Sequence, residues 1–329
     1  FPSEAERDGY RVVRKAGRYL VFPRAALAEI TRSHGPRDAV IEIWNGMPFF
    51  SPVWTRSPKV VVLHHVHAEM WRMVLPPGLA RLGNTVERRW APPLYRRERV
   101  VTLSESAKHE IVDDLGFAPE RVDVVPPGVH PRFSPGPNPL APRPPKVLAV
   151  GRLVPVKRFD RLIRATAEAH QLVPDLTLTI VGQGYERAKL TRLVRQIGAE
   201  GWVTLTDSLR DEELVELYRT SRLVASASAR EGWGMTITEA AACGTPAVVT
   251  DIAGHRDAVV PDETGFLARD ARAMVARLDE VLSDDVVRKQ MSEAAVARAS
   301  RLTWEATAFG TLRVLAEEAV RAHRRSADR

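Results

Sequence analysis

Two acids and two glycines stand close together in the stretch REGWGMTITEAAACGTPAV, Arg230 to Val248: Glu231 and Glu239 have seven residues between them, with glycines at 232 and 234. If all eight steps were helical, the carboxylates would lie about 12 Å apart along the axis. That exceeds the roughly 6.5–9.5 Å of an inverting glycosidase pair, so a hydrolytic acid/base couple is disfavoured. The separation suits carboxylates that accept hydrogen bonds from hydroxyls at two ends of one extended polar ligand. Taken singly, each acid is also explained as a surface glutamate or as a helix glutamate favoured by the dipole. Gly232 and Gly234 remove side chains where the amides at the start of the next helix, around Gly234 to Thr236, would face a phosphate.

Cations stand upstream of these acids. In GRLVPVKRF, Gly151 lets the backbone turn tightly, and Arg152 and Lys157 lie five residues apart on a loop that enters a helix. Two cations beside a helix N-terminus suit a diphosphate, although such a pair alone is more readily a solvated basic turn. VGQGYER offers Gly182 and Gly184 for close backbone approach, but it lacks the third glycine of a dinucleotide fingerprint and alone reads as an ordinary strand-to-helix turn. VVVLHHVHAEMW places His64 at the end of a strand, followed by His65 and His67. No cysteine and no well-spaced carboxylate beyond Glu69 completes a metal site there, so no metal is expected; His64 reads as a hydrogen-bonding or polarising imidazole.

Elements that would hold these residues recur along the chain. In the first half AVIEIW, KVVVLH, RVVTLS and RVDVVPPG read as strands; in the second, KVLAVG, LTLTIVG, WVTLTD, RLVASAS and PAVVT do, with helices from about Phe159 and Glu186, at Asp211 to Arg219, and after Gly234. Strand, turn and helix in succession predict doubly wound α/β units. SPGPNPLAPRPP, six prolines in twelve residues, reads as an interdomain linker. The expected domains are residues 1–140, residues 141–302 and a helix over 303–329 packing back towards the first, with Thr303 as its N-cap. In an open sheet of this kind, ligands bind beyond the carboxyl ends of the strands. The chain opens at Phe1 in a polar stretch, without a first strand and its Gly-rich turn, which predicts that some tens of residues precede it.

The 329 residues, 44% hydrophobic and 27% charged, suit two soluble domains. No apolar run is long enough to cross a bilayer and no signal peptide is visible, so the cytoplasm is the expected location. The only cysteine, Cys243, excludes an internal disulfide and a thiolate metal cage. A net charge of +7 permits nucleic acid, anionic lipid or phosphate-bearing ligands. ERRWAPPLYRRERVV gathers Arg88, Arg89, Arg96, Arg97 and Arg99 with Trp90 and Tyr95, the mix that meets a membrane interface or nucleic acid; a solvated helix face explains it at least as well.

Taken in order, GRLVPVKRF, VGQG, REGWGMTITEAAACGTPAVVT and TGFLA resemble the retaining glycosyltransferases of the GT-B fold, specifically glycosyltransferase family 4. VTLSESAKHEIVDDLG and VVPPGVHPRF resemble the end of that family's acceptor-side domain. The resemblance implies two Rossmann-like doubly wound domains facing a cleft, the N-terminal one incomplete, and a sugar transferred with retention from a nucleotide-diphosphate sugar such as a UDP- or GDP-sugar. By position, Arg152 and Lys157 would stabilise the leaving diphosphate. Glu231 would hold sugar hydroxyls, and the amides of Gly232, Trp233, Gly234, Met235 and Thr236 would contact sugar or phosphate. Glu239 would bind the ribose, Gly182 and the loop carrying Asp207 would lie near the base, and His64 would stand near the reacting centre. No cofactor and no metal are implied, because in the family the donor phosphate itself is thought to take the acceptor's proton. The acceptor would be a sugar, a lipid-linked sugar or a small molecule; peripheral contact at the inner face of the plasma membrane would accompany a lipid acceptor, and nucleic acid is not expected as a partner. The rivals are a catalytically inactive nucleotide-sugar-binding fragment and a basic nucleic-acid-binding protein.

Overall fold

A computed structural model describes residues 2–17 and 20–327. The chain forms two compact units. The first gathers the chain up to Thr102, Glu110–Asp123 and the chain from Thr311; the second comprises Leu103–His109 and Val124–Gly310.

The first unit opens with an antiparallel hairpin, β1 (Glu4–Arg7) and β2 (Tyr10–Val13), in which Glu4 lies opposite Val13. The polar opening of the chain is therefore a strand pair and not a coil, a correction to the sequence reading. Both strands are largely exposed, which is why no hydrophobic alternation marks them. After helix Val21–Ile30 comes a four-stranded sheet in the order β3 (Val40–Ile43), β4 (Lys59–Val62), β5 (Arg99–Thr102), β6 (Val122–Val124). The β3–β4 and β4–β5 pairings are parallel. β4 and β5 are buried along their whole length, the state in which a parallel strand needs an unbroken apolar run. Two buried carboxylates brace the unit. Glu42 accepts from the Phe49 amide (2.6 Å), the Ser51 amide (3.2 Å) and the Tyr95 hydroxyl (2.7 Å). Glu87 accepts from the amides of His67 (2.8 Å) and Ala68 (3.1 Å) and from the Trp71 indole (3.0 Å), which ties down the loop after β4.

In the second unit six parallel strands run β7 (Lys146–Val150), β8 (Thr177–Val181), β9 (Val203–Thr206), β10 (Leu223–Ser226), β11 (Ala247–Thr250) and β12 (Gly265–Ala268). Their spatial order is β12-β11-β10-β7-β8-β9. The chain therefore builds outwards from β7 in one direction, then returns to β7 and builds the other way. Between β7 and β10 the loops leave the sheet on opposite sides, and this opens a crevice at the carboxyl ends of the two strands. Helix Phe159–Leu172 buries Phe159, Leu162, Ile163, Ala165, Thr166 and Ala169, a stripe at helical spacing that packs into the core around Val147, Leu178 and Ile180.

The proline-rich segment 134–145 belongs to the second unit and is strapped onto it by arginines. Arg143 donates to the carbonyls of Ser221 (2.8 Å) and Pro139 (3.1 Å) and to the Thr245 hydroxyl (2.8 Å). Arg222 donates to the Arg143 carbonyl (3.0 Å), and the fully buried Arg288 to the carbonyls of Leu140 (3.2 Å) and Ala141 (3.1 Å). Burial, and then the neighbouring Arg288, bring the Arg143 guanidinium down to about 10. Prolines supply no N–H here, so their carbonyls are met by guanidinium forks instead of a ladder. The terminal helix Trp304–Ala327 starts on the expected cap, with the Thr303 hydroxyl accepting from the Ala306 amide at 3.1 Å. Arg143→Ala leaves two buried acceptors and one part-buried acceptor short of a donor and should lower the stability of the second unit by about 2–4 kcal/mol. Denaturant unfolding measures this, and limited proteolysis should cut the variant first within 134–145.

Candidate active site

The loop after β7 is shaped by main-chain packing. The Gly151 amide donates to the Val181 carbonyl (3.0 Å) and the Leu153 amide to the Gln183 carbonyl (2.8 Å), which lays this loop along the one after β8. A Cβ at Gly182 would meet the Gly151 carbonyl, and one at Gly184 the Leu153 carbonyl. Both glycines thus have a packing reason that involves no ligand. A short turn, Pro155–Lys157, follows; Arg158 takes a left-handed conformation (φ 49°) and pairs with Asp160 at 2.9 Å, after which the buried Phe159 starts the helix. Arg152 is exposed and has no ion-pair partner among the described residues.

Across the crevice lies the loop after β10. Lys157 Nζ donates to Glu231 Oε1, an ion pair whose side chains are 20% and 16% exposed. The same oxygen accepts from the Ser228 hydroxyl at 2.7 Å. The Ala229 amide donates to the Val156 carbonyl (2.8 Å), so the two loops are joined by main chain as well as by charge. The Thr250 hydroxyl donates to the Ser228 carbonyl at 2.7 Å, and Gly254 packs so closely that a Cβ there would strike the Glu231 carbonyl.

Gly234 caps the next helix, Met235–Ala242, at φ 108°, a conformation that side chains strain to reach; a Cβ would also come within 2.8 Å of Ile237 Cδ1. The Gly234 carbonyl accepts from the amides of Ile237 (2.9 Å) and Thr238 (3.3 Å). The amides of Met235 and Thr236 have no hydrogen-bond partner among the described residues. They are the free donors that a helix N-terminus offers an anion. Glu239 stands in the second turn, and its Oε2 accepts from the Tyr218 hydroxyl at 3.0 Å. Burial raises the Glu239 carboxyl above the usual range, while Tyr218 and then Arg132 pull it back. The eight steps from Glu231 to Glu239 are not all helical: Glu231 lies in the loop, and the helix begins only at Met235.

The crevice between β7 and β10 thus gathers Gly151, Lys157, Glu231, Gly232, Gly234, Met235, Thr236 and Glu239 on the two loops and one helix that border it. Trp233 is turned inwards, 5% exposed, among Ile237, Ala247, Val249, Ala258 and Val259, so only its main chain is offered to the crevice. Asp207 lies on the loop after β9, two strands away from β7, and pairs with Arg187 at 2.9 Å. His64 belongs to the first unit, half-buried just beyond β4, and burial lowers its pKa, which favours the neutral imidazole. Among the described residues no group of three or more histidines, cysteines or acids is arranged to hold a metal ion. The arginine cluster divides: Tyr95 and Arg99 are buried, Arg99 holding Asp123 at 2.8 Å, whereas Arg88, Arg89, Trp90, Arg96 and Arg97 are exposed.

Three residues beside the crevice escaped the sequence reading. Tyr218 is fully buried on helix Asp211–Thr220, far in the chain from the acid it holds. Ser228 ends the run RLVASAS, where position after a strand was the one available signal. His255, in AGHRDAV, is fully buried. Its Nδ1 lies 2.8 Å from the Thr250 carbonyl, which can only accept, so Nδ1 carries the proton; Nε2 is buried without a partner. Burial lowers the His255 pKa, opposed by the Thr250 hydrogen bond and the Glu231 charge, while Lys157 adds to the lowering. The unfolded chain therefore binds its proton more readily than the folded one. The stability this group supplies is full above the ordinary value of 6.5 and is lost as pH falls from there towards the lower folded value. Denaturant unfolding at about pH 7.5 and about pH 5.5 should show a smaller acid-side loss in His255→Gln than in the parent. Equal losses would contradict the assignment.

A doubly wound parallel sheet with a cation, a carboxylate and free helix amides bordering its switch point is the architecture of a nucleotide-binding α/β domain. The description "Glycosyl transferases group 1" matches residues 133–298 and "Glycosyltransferase Family 4" residues 3–133. The chain belongs to glycosyltransferase family 4. D-inositol 3-phosphate glycosyltransferase of Nocardia farcinica is 34% identical over 232 residues, 65% of this chain and 51% of the relative. The enzyme of that name from Acidothermus cellulolyticus is 34% identical over 259 residues, 70% of this chain and 57% of the relative. The chain thus spans little more than half the length of these relatives. Among solved structures, sucrose-phosphate synthase from Thermosynechococcus elongatus superposes with a TM-score of 0.81 at 21% identity, covering 96% of this chain and 86% of that one. Anabaena HepE in complex with UDP and glucose superposes with a TM-score of 0.72 at 20% identity, covering 89% and 82%. The fold is GT-B, built of two Rossmann-like α/β domains.

Proposed function

We propose that this protein transfers a sugar from a nucleotide-diphosphate sugar to an acceptor hydroxyl, with retention at the anomeric carbon. One observation carries the reading: Lys157, Glu231 and the free amides of Met235 and Thr236 border the crevice at which the strand order of the second unit reverses. The diphosphate lies against Lys157 and the helix amides, Arg152 adds a second cation, Glu231 accepts from sugar hydroxyls and Glu239 from the ribose. As the bond from the anomeric carbon to the phosphate oxygen breaks, its electron pair passes to the phosphate, and the growing charge meets Lys157 and Arg152. The acceptor oxygen bonds to the anomeric carbon on the face the phosphate leaves, and the acceptor's proton passes to a phosphate oxygen. This route draws on no metal, no cofactor and no protein base pair. His64, kept neutral by burial, is assigned as a hydrogen-bonding group. The loops after β8 and β9, with Gly182, Gly184 and Asp207, are assigned to the base.

The acceptor belongs to the first unit in this reading, and inositol 3-phosphate is the first to assay because the relatives carry it in their name. No described helix is long and apolar enough to cross a membrane. We assign peripheral membrane contact to segment 79–97, where Leu79, Leu82, Trp90 and Leu94 and the cations Arg89, Arg96 and Arg97 are all exposed, since apolar tips beside cations suit an anionic bilayer. Sedimentation with anionic vesicles tests it, and binding undiminished in Trp90→Ala with Arg89→Ala would refute it.

The enzyme reading is tested by incubating the protein with UDP-, GDP- and ADP-sugars, measuring release of nucleoside diphosphate and reading the product's anomeric configuration by NMR. Consumption of none of these donors, together with no binding of any, would overturn it. Glu239→Ala removes charge-assisted hydrogen bonds to the ribose and should weaken nucleotide binding by about 10- to 100-fold. Equal nucleotide affinity in parent and variant would refute the ribose assignment. Lys157→Ala should lower kcat by about 100-fold or more, with a smaller change in KM, because the charge it meets grows in the transition state. A change confined to KM would place Lys157 in ground-state binding.

A further inference from the structure

Lys157 and Glu231 are paired with one another across the crevice. Glu231 Oε1 receives both Lys157 Nζ and the Ser228 hydroxyl, and both charged side chains are largely shielded from water. A phosphate that comes to Lys157 must therefore compete with a carboxylate already in place, and it brings a like charge up to that carboxylate. We propose that Glu231 is a specificity-determining counter-ion, which lets the crevice bind a glycosylated nucleotide while holding the free nucleoside diphosphate weakly. The inference rests on the reading of the crevice as a nucleotide-sugar site.

The two ligands differ in what they can give back to Glu231. When the diphosphate of a nucleotide sugar draws Lys157 away, the sugar brings hydroxyl donors that replace the ammonium at Glu231. The carboxylate exchanges one set of donors for another. A free nucleoside diphosphate presents only acceptor oxygens at that position and carries more charge once the sugar is gone. It takes Lys157 from Glu231 and offers the carboxylate nothing but repulsion, leaving a mostly buried charge with the Ser228 hydroxyl as its remaining donor. The same residue that receives the sugar thus favours release of the product left after transfer. Arg152, exposed and unpaired among the described residues, has no such internal competitor and does not discriminate.

Glu231→Gln keeps the shape and the hydrogen-bonding capacity of the side chain but no longer neutralises Lys157. The experiment is calorimetric titration of the parent and this variant with UDP, GDP and ADP and with the corresponding glucose nucleotides, each variant's folding being checked by its melting temperature. Free nucleoside diphosphate should bind the variant about five- to tenfold more tightly, the worth of a partly buried pair, while the glucose nucleotide gains nothing or weakens. Glu231→Ala serves as a second variant and should show the same gain for the diphosphate. If neither variant binds the diphosphate more tightly than the parent does, the counter-ion role is overturned and the site assignment stands. If the parent binds neither a diphosphate nor a glucose nucleotide, the reading of the crevice falls and this inference falls with it.

Discussion

The order in which the second sheet is assembled constrains everything that borders its crevice. Because the chain lays down β7, β8 and β9 in one direction and then returns to place β10 on the other side of β7, the loops after β7 and β10 border the point where the strand order reverses. Residues 74 positions apart in the chain meet there, as Lys157 and Glu231 do. The join is reinforced where neither side chain takes part, by the hydrogen bond from the Ala229 amide to the Val156 carbonyl. A helix N-terminus whose first amides have no partner among the described residues favours an anion there, and Lys157 adds to this once it is drawn from Glu231.

Glycine has two different roles in this region. Gly182, Gly184 and Gly254 are required because another stretch of main chain occupies the space a side chain would take. Gly234 is required by its own conformation, the left-handed turn that lets the chain enter helix Met235–Ala242. The first three bring loops into contact, and the fourth aims amides at the crevice. Trp233 between them contributes by packing: its indole anchors the turn against β11 and helix Ala253–Ala258, so the main chain around it is held while its neighbours stay free of bulk. Behind the helix, the Tyr218 hydroxyl donates to Glu239 as the Ser228 hydroxyl does to Glu231, which also receives Lys157.

Much of this architecture is legible in the chain because parallel strands buried on both faces must be written as unbroken β-branched runs. KVVVLH, KVLAVG and PAVVT could be read as strands for that reason, and the residues that follow them could be collected as candidates before any contact was known. β1, β2 and β12 escaped: the first two are polar and solvated, and GFLA is too short to show a period. The proline run misled in a different way. Its composition forbids regular structure but does not forbid attachment, and the arginines that bind it, Arg143, Arg222 and Arg288, are supplied partly from remote helix and strand ends. Tyr218 and His255 were invisible because the significance of each lies in a partner that only folding brings near. The ordered motifs already resemble a GT-B glycosyltransferase, and the family match and the superpositions bear that reading out.

In the proposed function the diphosphate of the nucleotide lies between Lys157 and the N-terminus of helix Met235–Ala242. A crystal structure of the protein soaked with the nucleotide it binds most tightly tests this most directly. Phosphate oxygens are expected within hydrogen-bonding distance of Lys157 Nζ and of the Met235 or Thr236 amide, with the ribose hydroxyls on Glu239. A nucleotide seated elsewhere, its phosphates away from the β7–β10 crevice, would contradict it.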